Sequence, residues 1–220
     1  MNRTTLRMLG SDKSDVQQAY KNLRTNLTFL APEAHVIAIT SSRRGEGKTT
    51  VATGLAKSLS EIRKKTLLVD ADFRHSIMAS HTNPASNSGL VRVLEGHANW
   101  KECIQSTQCP HLDILTTTAK TAAPQELLSM TAFPPFMEEV REQYDYVIID
   151  TPAVETALDA AIIGALCDGV LVVVATDCGV THKEVKTTVT ELEKRGSKVI
   201  GLTQNDTGSL RKGKKSLGYK

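Results

Sequence analysis

The chain has 220 residues, a length that suits a single α/β domain. Aromatic residues make up only 4% of it, which argues against a surface that stacks on bases, so no nucleic-acid partner is expected. The formal net charge is +3, and residues 207–220 contain five basic and no acidic residues, which predicts a near-neutral body followed by a basic, flexible tail. The alternative for this tail is contact with anionic lipid or with an acidic partner.

The four cysteines form no C-x-x-C pair and show no zinc-ligand spacing with histidine, which favours free thiols in a reducing cytosol. The sequence shows no signal peptide and no apolar run of about 18 residues. We therefore expect a cytoplasmic protein that another protein must bring to a membrane if it works there.

The first predicted element is an amphipathic helix over residues 14–30, which ends before Pro32. Short apolar runs, several without polar alternation, then alternate with helix-like stretches. This pattern is typical of a mostly parallel, doubly wound α/β sheet, in which ligands bind beyond the carboxyl ends of the strands. The predicted strands are 35–40, 66–70, 111–116, 145–150, 169–175 and 198–203, and the further predicted helices lie near 48–63, 88–96, 132–143, 156–167 and 181–195.

Residues 42–49 read SRRGEGKT and follow a predicted strand, as a phosphate-binding Walker A loop does. Ser42 replaces the first glycine of that pattern. Gly45 and Gly47 allow backbone N–H groups to turn toward phosphate oxygens, and the next helix adds its positive N-terminal end. Lys48 is predicted to bridge the β- and γ-phosphates, and the Thr49 hydroxyl to bind Mg²⁺.

Acidic residues close two of the predicted strands. Asp150 ends the run YVIID, a Walker B pattern whose carboxylate serves the magnesium shell. Asp70 and Asp72 close LLVDAD, where a bound cation would relieve their mutual repulsion. The alternative for this pair is a role as turn or helix-cap residues. Arg74 follows closely and is a candidate phosphate contact, with a plain surface arginine as its alternative.

Residues 73–90 are polar and contain Gly and Pro, so they are predicted to form a loop over the site that orders on binding ATP or substrate. The six histidines are scattered without metal-ligand spacing, which favours solvated or core roles. Trp100 is interpreted as a packing residue.

The segments SSRRGEGKTT, LLVDADFR and YDYVIIDTPA, in that order, resemble the Walker A, A′ and B motifs of the bacterial tyrosine kinases (BY-kinases). AYKNLRTNLTF resembles the N-terminal helix of that family, and KVIGLTQN resembles part of its C-terminal half, so the resemblance covers roughly residues 15–206. The closest type is the short cytoplasmic form, which regulates capsule or exopolysaccharide synthesis together with a transmembrane adaptor of the chain-length-determinant type.

The resemblance implies a three-layer P-loop NTPase fold over residues 1–206, with ATP and Mg²⁺ as cofactors and tyrosine-bearing proteins as substrates. It implies that Asp70 is the general base. Arg74, as the candidate phosphate contact, completes a predicted catalytic set with Lys48, Asp70 and Asp72. Asn205 would lie near the adenine. The residues implied in phosphate binding are Gly45, Glu46, Gly47, Lys48, Thr49 and Thr50, and those implied in arranging Mg²⁺ are Thr49, Asp72 and Asp150.

Three features depart from the family pattern. Arg44 stands where the family usually has proline. The N-terminal helix usually reads E-x-x-R-x-x-R, but here those positions hold Gln18, Lys21 and Arg24, so the charge pair that builds the ring-shaped homo-oligomer is incomplete. The family's C-terminal tyrosine cluster is reduced to Tyr219, the one candidate phosphoacceptor in the tail.

Two other functions remain open from the sequence. A Min- or Par-like ATPase switch shares the fold, but its signature lysine is replaced here by Arg43, whose planar head is no simple substitute. A nucleotide-binding regulator with weak activity is the other alternative, and the retained Lys48, Asp70, Asp72 and Asp150 argue against it.

Overall fold

The structure is a computed structural model that describes residues 3–4, 14–78, 82, 89–117, 121, 124–129, 133–155, 158–176 and 179–205. In these ranges the strands form one sheet in the order β1-β4-β5-β3-β6-β2-β7-β8. All neighbouring strands are parallel except β4 and β5, which are antiparallel. The strands are β1 (Arg3–Thr4), β2 (Val36–Ser41), β3 (Thr66–Asp70), β4 (Gln105–Thr107), β5 (Leu112–Leu115), β6 (Tyr146–Asp150), β7 (Gly169–Ala175) and β8 (Val199–Asn205).

Helices cover both faces of the sheet. They are α1 (Ser14–Leu30), α2 (Lys48–Glu61), α3 (Leu90–Leu94), α4 (Trp100–Cys103), α5 (Pro124–Ser129), α6 (Phe133–Gln143), α7 (Asp159–Ala165) and α8 (His182–Glu193). One apolar cluster packs α1 and α2 against one face of the sheet. A second cluster packs the six helices from α3 through α8 against the other face. The predicted three-layer α/β architecture is confirmed.

The three central strands could be predicted from the sequence because they are buried on both faces. Every residue of β2, β3 and β6 is buried, as expected for strands covered by helices on both faces. Successive side chains enter opposite layers, so Ile37 joins the cluster under α2 while Ala38 joins the other. Because these three strands are parallel, their carboxyl ends lie at one edge of the sheet, where the site is found.

Helix α1 is fastened to α2 by two side chains. The Tyr20 hydroxyl donates to the carbonyl of Thr50 at 3.1 Å, and a Cβ placed on Gly54 would lie 2.1 Å from the Tyr20 ring. Arg24 donates to the carbonyl of Ser58 at 2.5 Å and to its hydroxyl at 3.1 Å. Arg24 is thus engaged within the subunit, on the helix that starts at the phosphate loop.

Some boundaries differ from the predictions. The second helix ends at Glu61 instead of near residue 63, the helix predicted near 88–96 is limited to Leu90–Leu94, and α7 begins at Asp159. Strand β8 continues to Asn205, two residues beyond its predicted end. Helices α4 and α5 and strands β1 and β4 were not predicted.

No helix in the described ranges is both long and apolar enough to cross a membrane. The predicted tail, residues 207–220, lies outside those ranges, as do nine positions of the predicted loop 73–90, namely residues 79–81 and 83–88.

Candidate active site

The loop between β2 and α2 has the backbone shape that the glycines of its sequence allow. Gly45 has φ of 84° and Gly47 has φ of 89°, in the left-handed region that favours glycine. Gly47 is the N-cap of α2, and as a glycine it has no side chain with which to cap the helix. The amide groups of its first turn are therefore available to an anion at the positive end of the helix dipole.

Glu46 and Asn205 connect this loop to the ends of strands β7 and β8. The buried Glu46 carboxylate accepts the N–H groups of Arg43 at 2.6 Å and of Ala175 at 2.9 Å. The Asn205 carboxamide donates to the carbonyl of Glu46 at 2.9 Å, and a Cβ on Gly47 would lie 2.1 Å from its nitrogen. The Glu46 side chain is thus an anchor on β7, and what it offers to a phosphate is its backbone.

The outer side of the loop is bound to α8 and to the segment after β6. Thr188 donates to the Ser42 hydroxyl at 2.8 Å, and Arg43 forms an ion pair with Glu184. The Arg44 amide donates to the Glu155 carboxylate at 3.1 Å. A proline at position 44 could not make this bond because it has no N–H. The departure from the family pattern therefore adds a tether to the loop.

Asp150 ends β6 beside the phosphate loop. It is 2% exposed, its Oδ1 has no hydrogen-bond partner among the described residues, and Thr49 hydrogen-bonds the carboxylate. Burial, followed by the charge of Asp70, raises the pKa of Asp150 to about 8, although Thr49 and the Lys48 ammonium act in the opposite direction. An orphaned carboxylate oxygen next to Thr49 and Lys48 fits the magnesium shell of a bound nucleotide.

Asp70 pairs in register with Asp150 on the adjacent strand β3. It is fully buried and accepts hydrogen bonds from the Ser76 hydroxyl, from the Asp72 amide at 3.2 Å and from the Thr117 amide at 3.4 Å. Burial is the main cause that raises its pKa to about 7, against the lowering effect of these donors. A carboxyl group with such a pKa takes and releases protons near neutral pH.

Asp72 and Arg74 lie at the rim, in the turn after β3. The Asp72 carboxylate accepts the amides of Arg74 at 3.2 Å and of His75 at 2.9 Å, as the turn-capping alternative expected. Its charge still contributes to raising the pKa of Asp150, so it also lies within range of the site. Arg74 donates from Nε to Asp159 at 3.2 Å. Sequence reasoning missed Asp159, because it lies 85 residues from Arg74 in the chain.

The structure thus brings Lys48, Thr49, Asp70 and Asp150 together at one end of the sheet, with Asp72 and Arg74 beside them. In the described part of the chain, no three His, Cys, Asp or Glu side chains form a group that would hold a metal by themselves.

Three of the tyrosines are built into the fold. Burial is the main cause that raises the pKa of Tyr20, Tyr144 and Tyr146, and Tyr144 also donates to Asp113 at 3.0 Å. The predicted phosphoacceptor Tyr219 lies outside the described residues.

Known proteins match this chain over most of its length. A family model described as "AAA domain" matches residues 34–200. The tyrosine-protein kinase CpsD of Streptococcus agalactiae is 38% identical over 192 residues, which is 86% of this chain and 82% of that protein. The structure of the kinase domain of Escherichia coli tyrosine kinase ETK superposes with a TM-score of 0.83 at 29% identity, covering 92% of this chain and 80% of that one.

A more distant likeness indicates how widely the fold is shared. The septum site-determining protein MinD from Pyrococcus horikoshii, in complex with Mg-ADP, superposes with a TM-score of 0.65 at 25% identity. That match covers 80% of this chain and 71% of the other.

Proposed function

We propose that this chain, which belongs to the AAA-domain family and within it to the bacterial tyrosine-protein kinases, transfers the γ-phosphate of Mg·ATP to tyrosine on itself or on a partner protein. The observation that carries the proposal is the grouping of Lys48 and Thr49 with the buried carboxylates of Asp70 and Asp150. On the family resemblance, the process it regulates is capsule or exopolysaccharide biosynthesis.

ATP binding is assigned to the phosphate loop. The amides of residues 45–50 would surround the phosphates, and Lys48 would neutralise the β- and γ-phosphate charge. The loop is already held by Glu46 and Asn205, so little ordering is needed when ATP binds. The adenine contact predicted for Asn205 would come from its carboxamide oxygen or from its second N–H, since the other N–H holds the carbonyl of Glu46.

Asp70 is assigned the role of general base. As the tyrosine oxygen bonds to the γ-phosphorus and the bond to the β–γ bridging oxygen breaks, the hydroxyl proton passes to the Asp70 carboxylate and ADP leaves. A pKa near 7 suits this exchange because the group is partly ionised at neutral pH. The three donors on Asp70 fix its orientation.

Thr49 and Asp150, with Asp72 in support, would hold Mg²⁺. The ion, when bound, supplies positive charge to the phosphate oxygens. The buried, unpartnered Oδ1 of Asp150 is the observation that supports this assignment.

The proposed phosphate acceptor is a tyrosine that is not packed into the domain. Tyr20, Tyr144 and Tyr146 are fixed in the domain, so Tyr219 in the tail or a tyrosine of another protein is the proposed acceptor. We propose that a transmembrane adaptor of the chain-length-determinant type recruits the chain to the inner face of the membrane. Formation of a homo-oligomer is also proposed, although Arg24 is bound to Ser58 within the subunit.

The test is to incubate the purified chain with Mg·ATP and to measure phosphopeptides, intact mass and free phosphate together. We expect phosphotyrosine in the wild type and a loss of at least about 1000-fold in Lys48→Met, because the main phosphate charge is removed. Lys57→Met, on the same helix, is the matched control and should keep wild-type activity. Wild-type turnover in Lys48→Met would overturn the site assignment.

A Min- or Par-like ATPase switch is less favoured, because the MinD structure superposes less well than the kinase domain and Arg43 is paired with Glu184. Release of free phosphate without phosphotyrosine, both alone and with an adaptor's cytoplasmic segment, would support that alternative.

A further inference from the structure

Asp159 is a buried carboxylate for which the proposed mechanism has no use so far. It is the first residue of α7, it is 0% exposed, and its Oδ1 has no hydrogen-bond partner among the described residues. Its other oxygen accepts from Nε of Arg74 at 3.2 Å. A buried carboxylate with one oxygen left unpaired by every described residue costs free energy, so its presence calls for a role beyond stability.

Arg74 occupies a different environment from its partner. The Arg74 side chain is 33% exposed, whereas that of Asp159 is fully buried. The guanidinium therefore covers the carboxylate, and part of the guanidinium remains exposed at the rim of the site. A guanidinium has five N–H donors, and the contact with Asp159 is made through Nε. The two Nη groups carry the remaining four donors and can meet a second anion.

The ion pair also connects the two segments that carry the reacting carboxylates. Arg74 lies in the turn after β3, whose last residue is Asp70, and its amide is held by Asp72. Asp159 follows β6, whose last residue is Asp150. Because the backbone and the Nε of Arg74 are both fixed, the position of its Nη groups relative to the phosphate loop is fixed as well.

We propose that Asp159 is a positioning residue that holds the Arg74 guanidinium by Nε, so that its Nη groups meet the oxygens of the phosphate as it is transferred. The inference rests on the proposed phosphotransfer and adds a part to it. Negative charge on those oxygens is stabilised best by donors that are already oriented. A lysine at position 74 has a single ammonium group, so it could not bind Asp159 through one nitrogen and the phosphate through others.

The test is a double-mutant cycle of Asp159→Asn and Arg74→Ala, measured as kcat and KM for phosphotransfer. We expect Asp159→Asn to lower kcat by about 10-fold and to change the KM for ATP by less than about 3-fold, because the contact matters most in the transition state. In the Arg74→Ala background, Asp159→Asn should cause no further loss. If Asp159 only stabilised the start of α7 through the helix dipole, Asp159→Asn would lower activity by the same factor in both backgrounds. That result would overturn the proposal.

A second measurement does not depend on turnover. Binding of ADP with Mg²⁺ and fluoroaluminate, a planar mimic of the transferred phosphate, is compared with binding of Mg·ADP alone. We expect Asp159→Asn to weaken the former by about 10-fold and to leave the latter unchanged. Equal effects on both ligands would overturn the positioning role, even if the chain proves to release phosphate without modifying tyrosine.

Asp159→Glu keeps the charge but lengthens the side chain by one methylene, and it serves if Asp159→Asn does not fold. It should also lose binding of the fluoroaluminate complex, since the guanidinium is displaced, and wild-type binding in this variant would contradict the proposal. Melting temperatures of all variants separate folding defects from these effects.

Discussion

Replacing Asp150 by Asn is expected to stabilise the nucleotide-free protein while destroying its function. The Asp150 carboxyl group is buried, and its pKa is raised from 3.8 to about 8 by burial and by the charge of Asp70. Between these two values the folded protein binds a proton that the unfolded chain has released. Stability therefore falls as the pH rises through this window. Asparagine has nearly the same shape and no charge to bury.

The size of the effect follows from the two pKa values. Each pH unit between the unfolded pKa and the assay pH contributes about 1.4 kcal/mol, so at pH 7 the ionisable group costs up to about 4 kcal/mol relative to a neutral one. Relaxation around the carboxylate reduces this, and we expect about 2 kcal/mol. For a domain of this size, that corresponds to a rise in Tm of about 4–8 °C.

The assay is thermal unfolding without nucleotide, followed by circular dichroism from pH 5 to pH 8. The difference in Tm between Asp150→Asn and the wild type should grow with pH, and the variant should lose the further stabilisation that Mg·ATP gives the wild type. Glu142→Gln, which removes an exposed carboxylate of α6, should leave Tm unchanged at every pH. An Asp150→Asn protein that melts at or below the wild-type temperature throughout this range would refute the reasoning.

Gly47→Ala should weaken ATP binding and lower stability by about 2 kcal/mol, because a Cβ there meets the Asn205 nitrogen at 2.1 Å in a left-handed backbone. Gly45→Ala is the comparison with similar strain but no atom within 4 Å, and calorimetry should show a smaller loss, about 1 kcal/mol; equal losses would remove Asn205 from the explanation. Asp70→Asn should lower kcat by at least about 100-fold with little change in ATP affinity, and equal losses in the two would exclude the base role. Chelation of Mg²⁺ by EDTA should abolish phosphotransfer without changing the Tm of the nucleotide-free protein, since the predicted ion is held jointly with ATP; a lower Tm would indicate a structural metal.

The central part of the fold could be predicted from the sequence because its signal is local. Strands β2, β3 and β6 are short apolar runs, and the glycine, lysine and aspartate residues that form the site lie at their carboxyl ends or directly after them. Four-residue α4 and three-residue β4 carry no such signal, since each spans little more than one period of its amphipathic pattern and β4 reads QST. What indicates α4 in retrospect is Asn99, whose side chain accepts the Lys101 amide as an N-cap.

The residues that surround the site were harder to foresee. The motif identified Glu46 as part of the loop, but nothing in the sequence showed that its carboxylate accepts the amide of Ala175, 129 residues away. The pairing of Arg74 with Asp159 depends in the same way on a turn and a helix end that meet only in the folded chain. Local motifs therefore predict which groups take part in the chemistry, whereas the supports of those groups depend on the tertiary structure.

Trp100, the single tryptophan of the chain, packs edge-on against Phe136 and donates its indole N–H to Glu139 at 2.6 Å. Trp100 belongs to the apolar cluster of the second layer, and its ring also lies beside the Lys101 ammonium. The phosphate loop lies elsewhere, at the start of α2. The intrinsic fluorescence of this protein is therefore a reporter of how the second layer packs on the sheet. Emission should redden as that layer melts and stay constant while nucleotide is titrated, which makes one optical signal sufficient to follow unfolding in the presence of any ligand.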